Sequence, residues 1–184
     1  MSIKFKLTRF NWVKGVLMKK ITITLIFMLA FLVSNVWAYN LEALQTGFEV
    51  IELEDEFGDK TGKIRLGATC IGEFSNIATE GSDLVALLFV DDKDTCFLLL
   101  LEYVSNKASF YSDNLFFSVK DGTGEKSSFS VKTPKFSSRY VYCKQLIPLL
   151  QKGGTLKVVI QEDTTTYKFS IDATNFNELF SKLK

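Results

Sequence analysis

The strongest nucleophiles in the chain are three thiols, Cys70, Cys96 and Cys143, and no histidine accompanies them. Without an imidazole, Ser-His-Asp and Cys-His catalysis, histidine-ligated zinc and histidine-based pH switching are all excluded. The thiols are therefore expected to pack or to pair. Carboxylates are the other chemistry on offer. Asp91, Asp92 and Asp94 crowd one tight turn, and Asp55, Glu56 and Asp59 another. Calcium needs about six to eight oxygens on a shaped loop, with alternating acids and a distal Glu. Neither run has that spacing, so both read as solvated turn acids that discourage sheet edges from pairing, and no metal or cofactor is expected. A glycoside hydrolase would need two acids roughly 5 to 9.5 Å apart across a cleft. Glu73 and Glu102, each ending an apolar strand, are the pair that best suits that role.

The contact chemistry lies elsewhere. Between Tyr103 and Phe117, a long connection sets Phe110, Tyr111, Phe116 and Phe117 among Ser, Asn and Lys. Aromatic loops on a rigid scaffold serve as contact surfaces, so Phe110, Tyr111 and Phe116 are the expected binding residues. The alternative is that these rings plug the end of the core.

The elements that must position these residues read as β. Residues 47–54 (GFEVIELE) alternate as a charged, edge-like strand, and residues 55–62 form a turn. From residue 63 to residue 74, Ile64, Leu66, Ala68, Cys70 and Phe74 fall on one face, with Arg65, Thr69 and Glu73 on the other. Residues 84–90 and 95–103 flank the acidic turn as a hairpin whose arms are apolar on both faces, as expected of strands with something packed on each side. Further hairpins are predicted for 114–120 with 127–132 and for 156–161 with 167–171, with another strand at 139–142. Residues 143–151 suit a short helix limited by Pro148 and closed by Gly153 and Gly154. Phe176, Leu179, Phe180 and Leu183 recur on one face of a C-terminal amphipathic helix started by Asp172 or Thr174. The fold class is mainly β: an antiparallel sandwich, or a partly closed barrel, of about eight strands.

The N-terminal 38 residues read as a secretory signal. Lys14, Lys19 and Lys20 precede an apolar run from Ile21 to Val33, which ends in Val36-Trp37-Ala38. Cleavage is expected after Ala38, with Met18 the more natural start and an uncleaved membrane anchor the alternative. The leader's basic residues have no acidic counterpart, which leaves residues 39–184 with 16 basic side chains against 21 acidic ones. An acidic domain without a basic stripe is a poor nucleic-acid ligand. Export also makes one disulfide and one leftover thiol the natural use of three cysteines. In a meander, Cys70 and Cys96 lie two strand steps apart, at least ~9 Å, too far for a bridge that needs Cα atoms within about 7 Å. Cys96 with Cys143 is the favoured pair.

Three stretches carry a resemblance: residues 55–62 (DEFGDKTG), 72–79 (GEFSNIAT), and 149–154 (LLQKGG) followed by 166–172 (TYKFSID). They resemble a group of exported bacterial β-domain proteins with an F-G-D-x-T-G turn box and a Leu-Leu-x-x-Gly-Gly turn before a Tyr-x-Phe hairpin. The resemblance implies export and a shared β domain, and it carries no ligand or catalytic residue. The expected function is thus an exported, periplasmic or secreted, non-enzymatic module binding a protein or envelope component. It would meet a membrane only through its signal segment, were that uncleaved. A structural subunit self-associating through the strand at 47–54, and a carboxylate-dependent hydrolase, are the alternatives.

Overall fold

The computed structural model describes residues 41–133 and 140–183. The leader, its cleavage point after Ala38 and the start at Met18 lie outside the described residues. Among the described residues, no helix is long and apolar enough to cross a membrane.

Ten strands form one antiparallel sheet: β1 (Glu49–Glu54), β2 (Lys60–Ser75), β3 (Ser82–Val90), β4 (Cys96–Glu102), β5 (Asn106–Lys107), β6 (Asn114–Lys120), β7 (Lys126–Lys132), β8 (Val141–Tyr142), β9 (Thr155–Glu162) and β10 (Thr165–Asp172). The order runs β5-β4-β3-β2-β10-β9-β6-β7, with β1 on β2 and β8 on β4. The sheet is not closed into a barrel. It folds over in sandwich-like fashion around β2, which is long enough to serve both halves. The first part of β2 pairs with β1, from Glu49↔Gly67 to Glu54↔Lys60, and its last part pairs with β10, from Phe169↔Gly72 to Thr166↔Ser75. Gly72 makes the crossing possible: a Cβ there would sit 2.0 Å from the Lys168 carbonyl oxygen. Only a residue without a side chain lets the two backbones approach so closely.

The expected alternation of β2 holds. Leu66, Ala68, Cys70 and Phe74 are buried, with Ile64 packed beside them, and Arg65 and Glu73 lie on the other face. Leu84, Ala86 and Leu88 of β3 and Leu98 and Leu100 of β4 extend this core, and Leu115, Phe117, Val158, Ile160 and Tyr167 meet it from the other half. On the outer side of β3 and β4, Arg65 lies over the rings of Phe89 and Phe97 at 5.4 and 5.2 Å and pairs with Asp91 at 2.9 Å.

Several boundaries moved. The turn after β1 is shorter than expected because β2 already begins at Lys60, the strand expected at 139–142 is present as the two-residue β8, and the unexpected two-residue β5 brings the number to ten among the described residues. The segment at 143–151 is a 3-10 turn (Lys144–Leu146) running into α1 (Ile147–Leu150), with Pro148 in its first turn, where a missing N–H costs nothing. The C-terminal helix α2 (Phe176–Phe180) is a single turn and a half, and Asn175 precedes it in place of Asp172 or Thr174. Asp172 instead bonds Thr174, whose side chain first and whose N–H at 3.0 Å second hold its carboxyl below the ordinary carboxylate range. Phe176, Phe180 and Leu183 still point into the core, as the spacing implies.

Candidate functional site

The loops gather at one end of the sandwich: residues 76–81 between β2 and β3, 103–105 after β4, 108–113 before β6, and 163–164 between β9 and β10. Beneath them runs a line of rings. Tyr103 meets Phe74 edge-on at 5.0 Å, Phe74 stacks on Tyr167 at 6.3 Å, and Tyr167 meets Phe110 edge-on at 6.3 Å. Each ring comes from a different segment, so this line ties the two halves together below the loops.

Two carboxylates flank Tyr167. Its hydroxyl donates to Glu102 Oε1 at 2.9 Å. Burial, then the bond to Glu102 and the charges of Glu102 and Glu162, push the phenol well above its ordinary range. Glu162 is 2% exposed and takes two backbone donors on one oxygen, the Tyr111 N–H at 2.5 Å and the Ser112 N–H at 2.7 Å. The buried carboxylate thereby fixes the backbone of the long aromatic connection. Thr133 adds a second tie, its hydroxyl donating to the Ser112 carbonyl at 2.7 Å.

What this frame presents is apolar. Tyr111 is 89% exposed although its amide is pinned, Ile77 is 86% exposed, and Tyr103 is 52% exposed. Backbone strain collects at the same end: Tyr103, Val104 and Asp163 hold φ of 50°, 70° and 40°, the left-handed region that a β-branched residue such as Val104 rarely enters. Such strain persists only where surrounding contacts hold it, and it collects at ligand clamps and switch regions.

The expected aromatic trio divides. Tyr111 is exposed at the loop end, and Phe116 is 59% exposed on the outer face of β6. Phe110 is turned inward against Tyr167 and packs on the core, and Phe117 is wholly internal, so for these two the end-plug alternative is correct. The reason is the two-residue period of β6 together with the inward turn of the loop just before Tyr111. Ile77 and Tyr103 went unnoticed in the sequence because each is a single apolar residue in a polar turn.

The acid pair Glu73 and Glu102 is not brought together. Glu73 points outward to Lys168 at 3.0 Å, whereas Glu102 points inward to Tyr167, so they occupy opposite faces of the sheet. The turn acids hold their own loops. Asp55 Oδ1 accepts the amides of Phe57 and Asp59, and Asp92 accepts the Asp94 amide and the Thr95 hydroxyl, which lower its pKa. Among the described residues, no three His, Cys, Asp or Glu side chains group so as to hold a metal ion. At the far end, buried Asp121 accepts Lys152 Nζ at 2.9 Å together with Thr123 and Glu125 amides, and the lysine contact first holds its carboxyl far below the usual range.

Cys96 and Cys143 are adjacent, with sulfurs 3.7 Å apart and the Cys143 N–H donating to the Cys96 carbonyl at 2.8 Å. All three thiols are reduced and buried. The neighbouring Cys143 thiol, then burial, raise the Cys96 pKa, and burial alone pushes Cys70 up to about 12. Beside Cys96 lies a groove of ≈ 450 Å³ between β7 and β8, edged by Lys132, Tyr142 and Lys144. The chain matches no known family model, and no curated protein and no solved structure shows significant similarity to it.

Proposed function

We propose that this chain is an exported, non-enzymatic interaction module whose loop end grips a protein or envelope component. The observation that carries the reading is Tyr111: a ring almost wholly in solvent on a backbone clamped by a buried carboxylate. A large amphipathic ring held in place loses little conformational entropy on contact, which makes it a good anchor. Ile77 and Tyr103 extend the same surface, and the acids beneath it are already engaged by Tyr167 and by amides, which leaves them structural work. The signal-like leader and the turn boxes at 55–62 and 149–154 support export. In the oxidising compartments to which export leads, Cys96 and Cys143 would join as a disulfide.

The test is capture of a C-terminally tagged copy from its native envelope, with intact-mass analysis of the chain and of whatever accompanies it. The expected chain begins at Tyr39 and brings a stoichiometric companion that Tyr111→Ser with Tyr103→Ser releases. A chain that arrives alone, or a companion that ignores both substitutions, overturns the reading.

A further inference from the structure

Strand β1 has an open edge, and one residue at its start shows how that edge is meant to be read. In an antiparallel ladder, the N–H and C=O of successive residues point alternately to one neighbour and to the other. Phe48 donates its N–H to Asn175 Oδ1 at 3.3 Å, and its carbonyl accepts from Asn175 Nδ2 at 2.8 Å. The Asn175 amide thus imitates one peptide unit of a neighbouring strand, on the side away from β2. The same alternation turns the backbone groups of Val50 and Glu52 to that side. There, among the described residues, β1 has no neighbour, since it pairs with β2 alone.

Natural edges are usually blunted by Pro, by charged side chains, by bulges or by extreme shortness, and of these β1 carries charge on its side chains. This one is six residues long, lacks Pro, and exposes Val50 and Ile51 by 41% and 38%. Its side chains carry charge of one sign: Glu49, Glu52 and Glu54 are all exposed, and Asp55, Glu56 and Asp59 follow in the turn. Glu52 pairs with Lys60, and among the described residues no ion pair engages the others. A second copy would bring the same acids to the same seam, where like charges repel. A strand rich in Lys or Arg would meet complementary charge and an open ladder together.

We propose that the free edge of β1 accepts an extended basic segment of another protein as an added strand, continuing the ladder that Asn175 begins. The incoming backbone bonds to Val50 and Glu52, and its cations meet Glu52 and Glu54 on one face of the sheet or Glu49 on the other. Main-chain bonding supplies the affinity in this mode of recognition and the side chains supply the selection. The site is separate from the loop end around Tyr111.

The test uses the purified full chain with two labelled, end-blocked peptides, one alternating Lys and Val and the other Glu and Val. The Lys peptide should bind, weaken between about 0.05 and 0.5 M salt, and slow hydrogen exchange at the Val50 and Glu52 amides. The Glu peptide should not bind. Val50→Pro removes one outward donor while sparing the ladder to β2, as an edge position allows. It should weaken the Lys peptide about tenfold or more. Glu49→Lys with Glu54→Lys changes only exposed side chains and should reverse the preference between peptides, which keeps the test valid if the proline variant fails to fold. Tyr111→Ser should leave peptide binding intact. The proposal falls if a folded Val50→Pro binds unchanged or if charge reversal leaves the preference intact. It also falls if protection appears on other strands, or if the chain alone sediments as a dimer that Val50→Pro dissolves, which would assign the edge to a second copy.

Discussion

Replacing Glu162 with Ala deletes the acceptor of two backbone donors, at 2.5 and 2.7 Å, from a site only 2% exposed. A hydrogen bond to a charged group contributes about 1.5–3 kcal/mol when its donor would otherwise go unpaired. The Tyr111 and Ser112 amides lie in a loop that water can reach once it loosens, so the pair together should cost about 2–4 kcal/mol. Glu162→Gln keeps an acceptor oxygen and loses the charge, and it should cost about half as much. For a domain of this size the alanine variant should melt roughly 6–14 °C lower. Urea unfolding of residues 39–184 read by tyrosine emission gives the free energy directly, because both tryptophans, Trp12 and Trp37, precede that segment. Exchange protection of the Tyr111 and Ser112 amides locates the effect, and binding through Tyr111 should weaken although its ring is untouched. A variant that loses under about 0.5 kcal/mol and keeps both amides protected would refute the clamp.

Gly72→Ala should unfold the domain or cost more than about 4 kcal/mol in urea, because the new methyl would lie 2.0 Å from the Lys168 carbonyl. Gly67→Ala, whose nearest obstacle is the mobile tip of Ile51 at 2.4 Å, should cost far less in the same assay. Tyr167 has a folded pKa above its ordinary value of 10.0, so its contribution is complete below that pH and is lost as pH rises through the folded value. Wild type should therefore weaken above about pH 10 more steeply than Tyr167→Phe, which stability profiles of the two proteins would show. Thiol labelling at pH 8 should reach none of the three cysteines until the fold is unfolded, because all three are buried and the pKa values of Cys70 and Cys96 are raised as well. Mild oxidation should then remove two hydrogens, block Cys96 and Cys143, and leave Cys70 titratable. Cys143→Ser should abolish that mass change.

Strand positions were legible wherever side-chain period and turn chemistry agreed. Ile64, Leu66, Ala68, Cys70 and Phe74 shared a face in the sequence and share it in the fold, and Asp121 with Gly124, like Gly153 with Gly154, marked real turns. Strand spacing ruled out Cys70 with Cys96 and left Cys143 beside one of them; the fold sets it beside Cys96, with both thiols free. What escaped notice depends on contacts distant in sequence. The clamp on Tyr111 comes from Glu162, whose position at a strand end suggested only a solvated turn. The inward turn of Phe110 depends on Tyr167, and the opposite orientations of Glu73 and Glu102 depend on which face of β4 meets β10. No local period encodes these relations. Strand β5 is two residues long, too short for any pattern to announce it, whereas β8 falls inside the strand expected at 139–142.

The clasp between Phe48 and Asn175 joins positions 127 apart in sequence, and the rings of Phe48 and Phe176 meet 4.7 Å apart at the same spot. The first strand of the domain is thus held by its last turn of helix, and the last part of β2, already paired with β3, obtains its other neighbour only when β10 exists. A ribosome that has made everything up to β9 has released a chain whose central strand is half paired and whose core lacks Tyr167, Phe169 and Phe176. Completion waits for residues 165–176. Topologies dominated by such distant closures fold slowly, a delay that would suit the export proposed above by leaving the chain threadable for longer.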